Sequence, residues 1–197
     1  MKQPWNINIH YDALLDSHVP PGARRVLDVG CGDGFLAARL APRVPDVVAL
    51  DIDAPVLQRA QARFPDAPVQ WLDGDIMTTE LPPAGFDAVV SNAALHHLPD
   101  TDVTLRRLAS LVAPGGTLAV VTFVRPSLRN ALWHLRTWVA RGVIIRIKGK
   151  WQHTAPIKWP PSDTVRQLRS HVGHALPGAG VRLLPYGRVL ITWRAPG

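Results

Sequence analysis

The nine residues VLDVGCGDG, at positions 26–34, indicate the fold more strongly than any other part of the sequence. Their apolar start is typical of a buried strand, and residues 35–43 after them follow a helical pattern. Glycines between a strand and a helix permit a sharp turn and let a ligand approach bare backbone. The glycines fall at 30, 32 and 34, which does not fit the G-x-G-x-x-G spacing of a dinucleotide site. The stretch therefore predicts a ligand-binding turn of another kind.

Strands and helices alternate along the chain as far as residue 124. Such alternation is typical of an α/β protein with a mostly parallel sheet that is covered by helices on both faces. After residue 124 we expect an amphipathic helix, a second helix over 162–175 and a closing antiparallel hairpin over 181–193. The predicted strands of the first part are 26–29, 47–50, 69–72, 86–90 and 117–124.

Length and composition exclude several classes of protein. With 197 residues the chain is long enough for one well-buried domain, and we expect a single domain over 1–197. Cys31 is the only cysteine, which excludes a disulfide scaffold. The start of the sequence lacks the apolar run of a signal peptide, and the apolar stretch 138–147 is too short to span a bilayer. We therefore expect a cytoplasmic protein.

Charge divides the sequence into two unequal parts. Residues 1–124 contain 9 basic and 14 acidic side chains, whereas residues 125–197 contain 13 basic side chains and one acid, Asp163. Five of the seven tryptophans also lie in the basic part. This division predicts a basic, aromatic region that faces an anionic or planar molecule, or alternatively an arginine-rich solvated surface.

Acidic residues follow three consecutive predicted strands. Asp28 ends the first strand, Asp51 ends the second, 21 residues after Gly30, and Asp75 follows the third. The carboxyl ends of parallel strands meet at one edge of a sheet, so these carboxylates should line one crevice. A carboxylate at the end of the second strand can accept both hydroxyls of a ribose.

Five motifs in this order resemble the class I S-adenosylmethionine (SAM)-dependent methyltransferases. The resemblance covers roughly residues 10–125 and implies a Rossmann-like, mostly parallel seven-stranded sheet and SAM as the cofactor, with S-adenosylhomocysteine as its product. The matching motifs are VLDVGCGDG, VVALDID (47–53), LDGDIM (72–77), FDAVVSNAALHHL (86–98) and LASLVAPGGTLAVVTF (108–123).

The resemblance also implies which residues hold the cofactor. Most lie at or just after the carboxyl ends of the first four strands. Tyr11 precedes these strands, and it either closes over the methionine carboxylate or only packs onto the domain. The implied residues are Asp28, Gly30, Cys31 and Gly32 at the methionine end, Tyr11 over its carboxylate, Asp51 at the ribose, Ile52, Asp75 and Ile76 at the adenine, and Asn92 and His97 near the sulfonium.

Methyl transfer from a sulfonium needs alignment more than it needs a base. The candidate general bases are His97, for which a wall of the pocket is the favoured role, and His153, which is otherwise a plain surface histidine. Since His96 and His97 are adjacent, we expect their side chains to diverge. No metal is expected, because after Asp102 the only acid is Asp163. SNAA (91–94) also differs from the motif of nucleobase amine methyltransferases, so we expect metal-independent transfer to the O, N or C atom of a small molecule.

The region 125–161 lies where many relatives place a substrate lid, between the core of residues 1–124 and the closing helix and hairpin of residues 162–197. Trp133, Trp138 and Trp151 are its candidate substrate-binding residues, and arginine with tryptophan suits an acidic or aromatic acceptor. The alternative is a helix that buries its apolar face on the sheet.

Three other functions stay open at this stage. The basic tail allows an RNA methyltransferase, although its charges are dispersed and no further RNA-binding module is recognisable. Residues 127–148 could lie on anionic lipid. A binding protein that no longer methylates would keep the same cofactor pocket. The sequence favours neither nucleic acid nor membrane as the partner, and it does not indicate the oligomeric state.

Overall fold

The computed structural model describes residues 5–98, 100–148 and 160–197, and within them seven strands form one mixed sheet. The strand order is β3-β2-β1-β4-β5-β7-β6. The first five strands pair in parallel, and β7 pairs antiparallel with both β5 and β6. The predicted fold class is thereby confirmed. The strands are β1 Arg25–Val29, β2 Asp46–Asp51, β3 Val69–Asp73, β4 Phe86–Asn92, β5 Val112–Phe123, β6 Gly180–Leu184 and β7 Arg188–Arg194.

Six α-helices accompany the sheet in the described part of the chain. The first of them was not predicted, and α2 ends earlier than the predicted residue 43. Strand β5 begins at Val112, before the Pro-Gly-Gly turn, whereas we expected it to start after that turn, at Thr117. The helices are α1 Ile7–Asp16, α2 Phe35–Leu40, α3 Ala54–Arg63, α4 Thr101–Leu111, α5 Ala131–Lys148 and α6 Val165–Ala175.

Two hydrophobic clusters cover the opposite faces of the sheet. Because side chains alternate along a strand, Leu27 faces the cluster that contains α4 and α6, while Val26 faces the cluster that contains α1 and α2. Leu15 of α1 and Leu105 of α4 are fully buried on these two faces. Each such leucine contributes about 1.5–3 kcal/mol when it is removed from water.

The strand order reverses direction at β1. β2 lies on one side of it and β4 on the other, so the loops that follow β1 and β4 leave the sheet next to each other. In open parallel sheets such a reversal creates a crevice outside the carboxyl ends of the strands, where ligands bind. The glycine turn follows β1 and therefore lies in this crevice.

Candidate functional site

A cavity of about 1160 Å³ occupies the crevice. Ligand sites commonly have volumes of about 300–1000 Å³, so this cavity has room for a nucleoside-sized ligand and a small second molecule. Its walls come from the N-terminal segment, from the loops after β1 to β4, and from α5 and β7. The predicted cofactor residues that line it are Asp28, Gly30, Cys31, Gly32, Asp51, Ile52, Asp75, Ile76, Asn92 and His97.

Gly30 and Gly32 both have a left-handed backbone, which favours glycine, but only Gly30 also needs glycine for close packing. Gly30 has φ +68°, and a Cβ there would lie 2.3 Å from the Cβ of Ala94, so close packing requires it. Gly32 has φ +52°, and a Cβ there would meet no atom within 4 Å. The amides of Gly30 and Cys31 both donate to the carbonyl of Leu50, at 2.8 and 3.1 Å. These two residues can therefore offer a ligand close approach and carbonyl oxygens, but not their amide protons.

Asp51 stands at the end of β2 with its carboxylate held in place by backbone. Oδ2 accepts from the amide of Gly32 at 2.8 Å and Oδ1 accepts from the amide of Asp53 at 3.0 Å. A carboxylate oxygen can accept more than one hydrogen bond, so both oxygens can still receive a ligand hydroxyl. Ile52 beside it is 69% exposed, an unusual state for isoleucine and one that suits contact with a flat ring.

Asp75 occupies the loop after β3 and also faces the cavity. Its Oδ1 accepts a hydrogen bond from the amide of Met77 at 2.9 Å, which orients the carboxylate. Oδ2 takes no part in this hydrogen bond. Ile76 next to it is buried and lines the same wall.

Two buried acids face the cavity between β1 and β4. Asp28 is 1% exposed and one of its carboxylate oxygens has no hydrogen-bond partner; burial, and then the charges of Asp12 and Asp51, raise its pKa well above the usual range. Burial raises the pKa of Asp12 to about 7, although the hydrogen bond from Asn92 and the charge of Arg39 oppose the shift. Neither acid forms an ion pair with a base in the described residues.

This acidic pair fits a cationic ligand. SAM carries a sulfonium and an ammonium, and a buried acid without a counter-ion is stabilised when a cation arrives. The residues present thus fit the cofactor that the resemblance implies. Sequence analysis missed Asp12, and the only available signal was a lone acid among the apolar residues of 7–15.

Tyr11 packs onto the domain, the alternative to its predicted place at the cofactor. It is 3% exposed, lies in the core cluster of α1, and its hydroxyl donates to the carbonyl of Pro185. It is not among the residues that line the cavity. The next residue on the same helix, Asp12, reaches the cavity instead.

His96 and His97 both line the cavity, which corrects the prediction that they diverge. They lie on the single 3-10 turn Leu95–His97, and their ring centroids are 4.1 Å apart. The rings of His96 and Phe123 form a T-shaped contact, with 4.5 Å between their centroids. His153 and Trp151 lie outside the described residues.

The two described tryptophans of α5 do not reach the cavity, which corrects their prediction as substrate-binding residues. Trp133 packs against the core cluster of α4 and α6, and Trp138 is 73% exposed. Helix α5 lines the cavity with Arg141 and Ile145 instead. Ile145 lies on the same face as Trp138 but about 10 Å further along the helix, where the cavity meets α5.

Arg188, the first residue of β7, is a second cavity residue that sequence analysis missed. It is 4% exposed, and burial lowers its pKa to about 9; Tyr11 opposes this shift and the charge of Arg141 adds to it. The cavity is therefore acidic on the side of β1 to β3 and basic on the side of β7.

Known proteins are similar to this chain in sequence. The family described as methyltransferase domain matches residues 27–120. A protein of Mycobacterium tuberculosis named as an uncharacterized methyltransferase is 71% identical over 196 residues, which is 100% of both chains. The trans-aconitate 2-methyltransferase of Methylobacterium radiotolerans is 41% identical over 111 residues, 55% of this chain and 42% of that protein.

A solved structure has the same architecture. The S-adenosylmethionine-dependent methyltransferase of Mesorhizobium loti superposes with a TM-score of 0.63 at 20% identity, covering 92% of this chain and 96% of that one. The chain belongs to the methyltransferase domain family, and it is a class I SAM-dependent methyltransferase.

Two features are absent from the described residues. No helix among residues 5–98, 100–148 and 160–197 is long and apolar enough to cross a membrane. The same residues contain no group of three or more histidine, cysteine, aspartate or glutamate side chains that could hold a metal ion.

Proposed function

We propose that this protein transfers the methyl group of SAM to a small molecule, by in-line displacement and without a metal. The observation that carries the proposal is the common cavity, in which buried acids and fixed carboxylates face a space larger than a nucleoside needs. When bound, SAM supplies the electrophilic methyl group.

Each acidic residue has a distinct task in this proposal. Asp51 accepts the two ribose hydroxyls, because both of its oxygens are already oriented by backbone amides. Asp28 and Asp12 hold the cationic end of the ligand. Asp75 accepts the exocyclic amine of the adenine, and Ile52 covers one face of the ring.

The protein accelerates the reaction mainly by holding two molecules in line in a space that excludes water. Asn92 fixes the carboxylate of Asp12 at the end of β4, and His96 and His97 form the neighbouring wall. A base is needed only where the acceptor must lose a proton, and His97 is the described imidazole that we assign to this step. His153 stays a prediction for the same role.

The proposal is tested by following tritium from methyl-labelled SAM into a fractionated mycobacterial extract. The fractions are small molecules, RNA and lipids, and the controls are Asp51→Ala and the surface variant Asp66→Ala. We expect label in a small-molecule product that chromatography separates from SAM itself, lost in Asp51→Ala and retained in Asp66→Ala. Label in RNA alone, or SAM binding without any transfer, would overturn the proposal.

A second candidate function has an observation in its favour, namely an apolar stripe on the outer face of α5. Its side chains recur every three or four residues, and each is between 52% and 76% exposed. Residues 125–148 contain basic side chains and no acid. Exposed apolar rows with basic neighbours fit an anionic membrane surface, from which a lipid-like acceptor would enter the cavity. The stripe consists of Leu132, Leu135, Val139, Val143 and Ile147.

Co-sedimentation with vesicles tests this candidate. The protein should pellet with vesicles that contain phosphatidylglycerol and remain in solution with phosphatidylcholine alone. Leu135→Glu should abolish pelleting, whereas Val103→Glu, at an apolar side chain of α4 that is 52% exposed, should not. Absence of pelleting would overturn the candidate, and dimerisation through the stripe would assign it to a second copy of the chain.

A further inference from the structure

Arg188 is a buried cation without a buried anion. Its Nη2 donates to Oδ1 of Asn8 at 2.8 Å and its Nη1 donates to the carbonyl of Tyr186 at 3.4 Å. The guanidinium lies 3.4 Å from the ring centroid of Phe123, and its Nε has no hydrogen-bond partner. In the part of the chain that the structure describes, no carboxylate forms an ion pair with it.

These contacts orient the guanidinium but leave its charge uncompensated. Burying a charge without an opposite charge is unfavourable, and a bound anion removes that penalty. The amide of Asn8, a carbonyl and an aromatic face hold the plane of the guanidinium without neutralising it. The side chain is therefore prepared for an anion that none of the described residues provides.

Arg141 adds a second positive charge to the same wall. It reaches the cavity from α5, and its charge acts on Arg188. Two guanidinium groups that face one space repel each other until an anion lies between them. Planar guanidinium forks match the geometry of carboxylate and phosphate groups.

Arg188 lies across the sheet from β1, the strand that precedes the glycine turn. β7 is three strands away from β1, a distance of roughly 14 Å at the usual strand spacing. In contrast, Asn8, which holds Arg188, lies on α1 one helical turn, about 5.4 Å, from Asp12. The basic wall thus lies near the end of β4, on the side of the cavity away from Asp51 and Asp75.

We propose that Arg188 and Arg141 form an anion subsite that holds a carboxylate or phosphate group of the methyl acceptor. This inference rests on the proposed function, because it requires that the acidic side of the cavity holds SAM. It names the acceptor class as small organic acids or phosphate esters.

The test measures how anions bind to the protein saturated with S-adenosylhomocysteine, by calorimetry. The probes are trans-aconitate and inorganic phosphate, and trimethyl trans-aconitate is the neutral control. The variants are Arg141→Gln, Arg188→Met and Arg188→Lys, with Arg169→Gln on α6 as the matched surface control. Arg141 is exposed at the mouth of the cavity, so its variant keeps the test valid if the Arg188 variants do not fold.

We expect at least one anion to bind, with a tenfold or greater loss in Arg141→Gln and a larger loss in Arg188→Met. Arg188→Lys should recover part of the loss, and Arg169→Gln should behave as the wild type. Binding of neither anion, or equal binding in Arg141→Gln, would overturn the subsite. A loss of S-adenosylhomocysteine affinity in Arg141→Gln would also overturn it, by assigning the arginines to the cofactor. If the wild type binds no S-adenosylhomocysteine at all, the proposed function fails instead.

Discussion

Asn92 and Asp12 are joined by a hydrogen bond of 2.7 Å from Nδ2 to Oδ1. The same amide group donates to the carbonyl of Asn8 at 2.9 Å. These two bonds attach α1 to the end of β4 and aim the carboxylate of Asp12 into the cavity. The helix that precedes the sheet in sequence is in this way part of the site.

Replacing Asn92 with alanine should loosen this attachment. Asp12 would lose the hydrogen bond that opposes the rise of its pKa, and a buried acceptor that loses its partner costs about 1–3 kcal/mol. We expect a lower melting temperature and SAM affinity reduced about tenfold. Calorimetry and thermal unfolding check both, with Asn130→Ala, outside the cavity, as the control. Unchanged affinity would show that the bond does not position Asp12.

The raised pKa of Asp12 makes the stability of the ligand-free protein depend on pH. An unfolded aspartate ionises near pH 3.8, whereas folded Asp12 keeps its proton to about pH 7. The native state therefore binds more protons between these values, and the free energy of unfolding falls as the pH rises through them. Asp28 has a raised pKa too and acts in the same direction.

Asp12→Asn should consequently stabilise the ligand-free protein at pH 8 while it weakens SAM binding. The variant keeps an oxygen for Asn92 and removes a buried charge, a change worth at most about 4 kcal/mol. Thermal unfolding at pH 5 and pH 8 should show a gain only at the higher pH. A gain of equal size at both values would contradict the role of ionised Asp12.

SAM binding below pH 7 should release a proton. A bound cation favours the ionised form of Asp12, so the ligand lowers the pKa of that group. Calorimetric titrations at pH 6 in two buffers with different ionisation enthalpies measure this release. Asp12→Asn should reduce it, and proton uptake by the wild type would be incompatible with the proposed cationic contact.

Two glycine variants should separate folding from binding. Gly30→Ala places a Cβ 2.3 Å from Ala94 in a left-handed backbone conformation, and it should cost several kcal/mol of stability. Gly32→Ala has open space and only the backbone strain, of about 1–2 kcal/mol, but its methyl group enters the cavity. We expect the first variant to lower the melting temperature more, and the second to lower SAM affinity more.

The sequence predicted the acidic part of the site, because that part depends only on short motifs at strand ends and on parallel pairing of the strands. The strand ends carry Asp28, Asp51 and Asp75, and parallel pairing brings such ends together whatever the loops do. The 3-10 turn at Leu95–His97 has no distinctive pattern, and the shared wall of its two histidines was missed for that reason.

The basic wall and Asp12 could not be predicted in the same way. Asp12 meets Asn92 across 80 residues of sequence, and Arg188 meets Asn8 across 180. No spacing rule connects such positions before the topology is known. The tryptophans Trp133 and Trp138 were predicted as substrate-binding residues, but only the C-terminal half of α5 reaches the cavity.

The central claim, that this cavity binds SAM through the acidic side, is tested most directly by calorimetric titration with SAM and S-adenosylhomocysteine. The wild type and Asp66→Ala should bind both ligands in the micromolar range, while Asp51→Ala should lose at least 1.4 kcal/mol, about tenfold in affinity. Absence of binding to the wild type, or full binding by Asp51→Ala, would contradict the account.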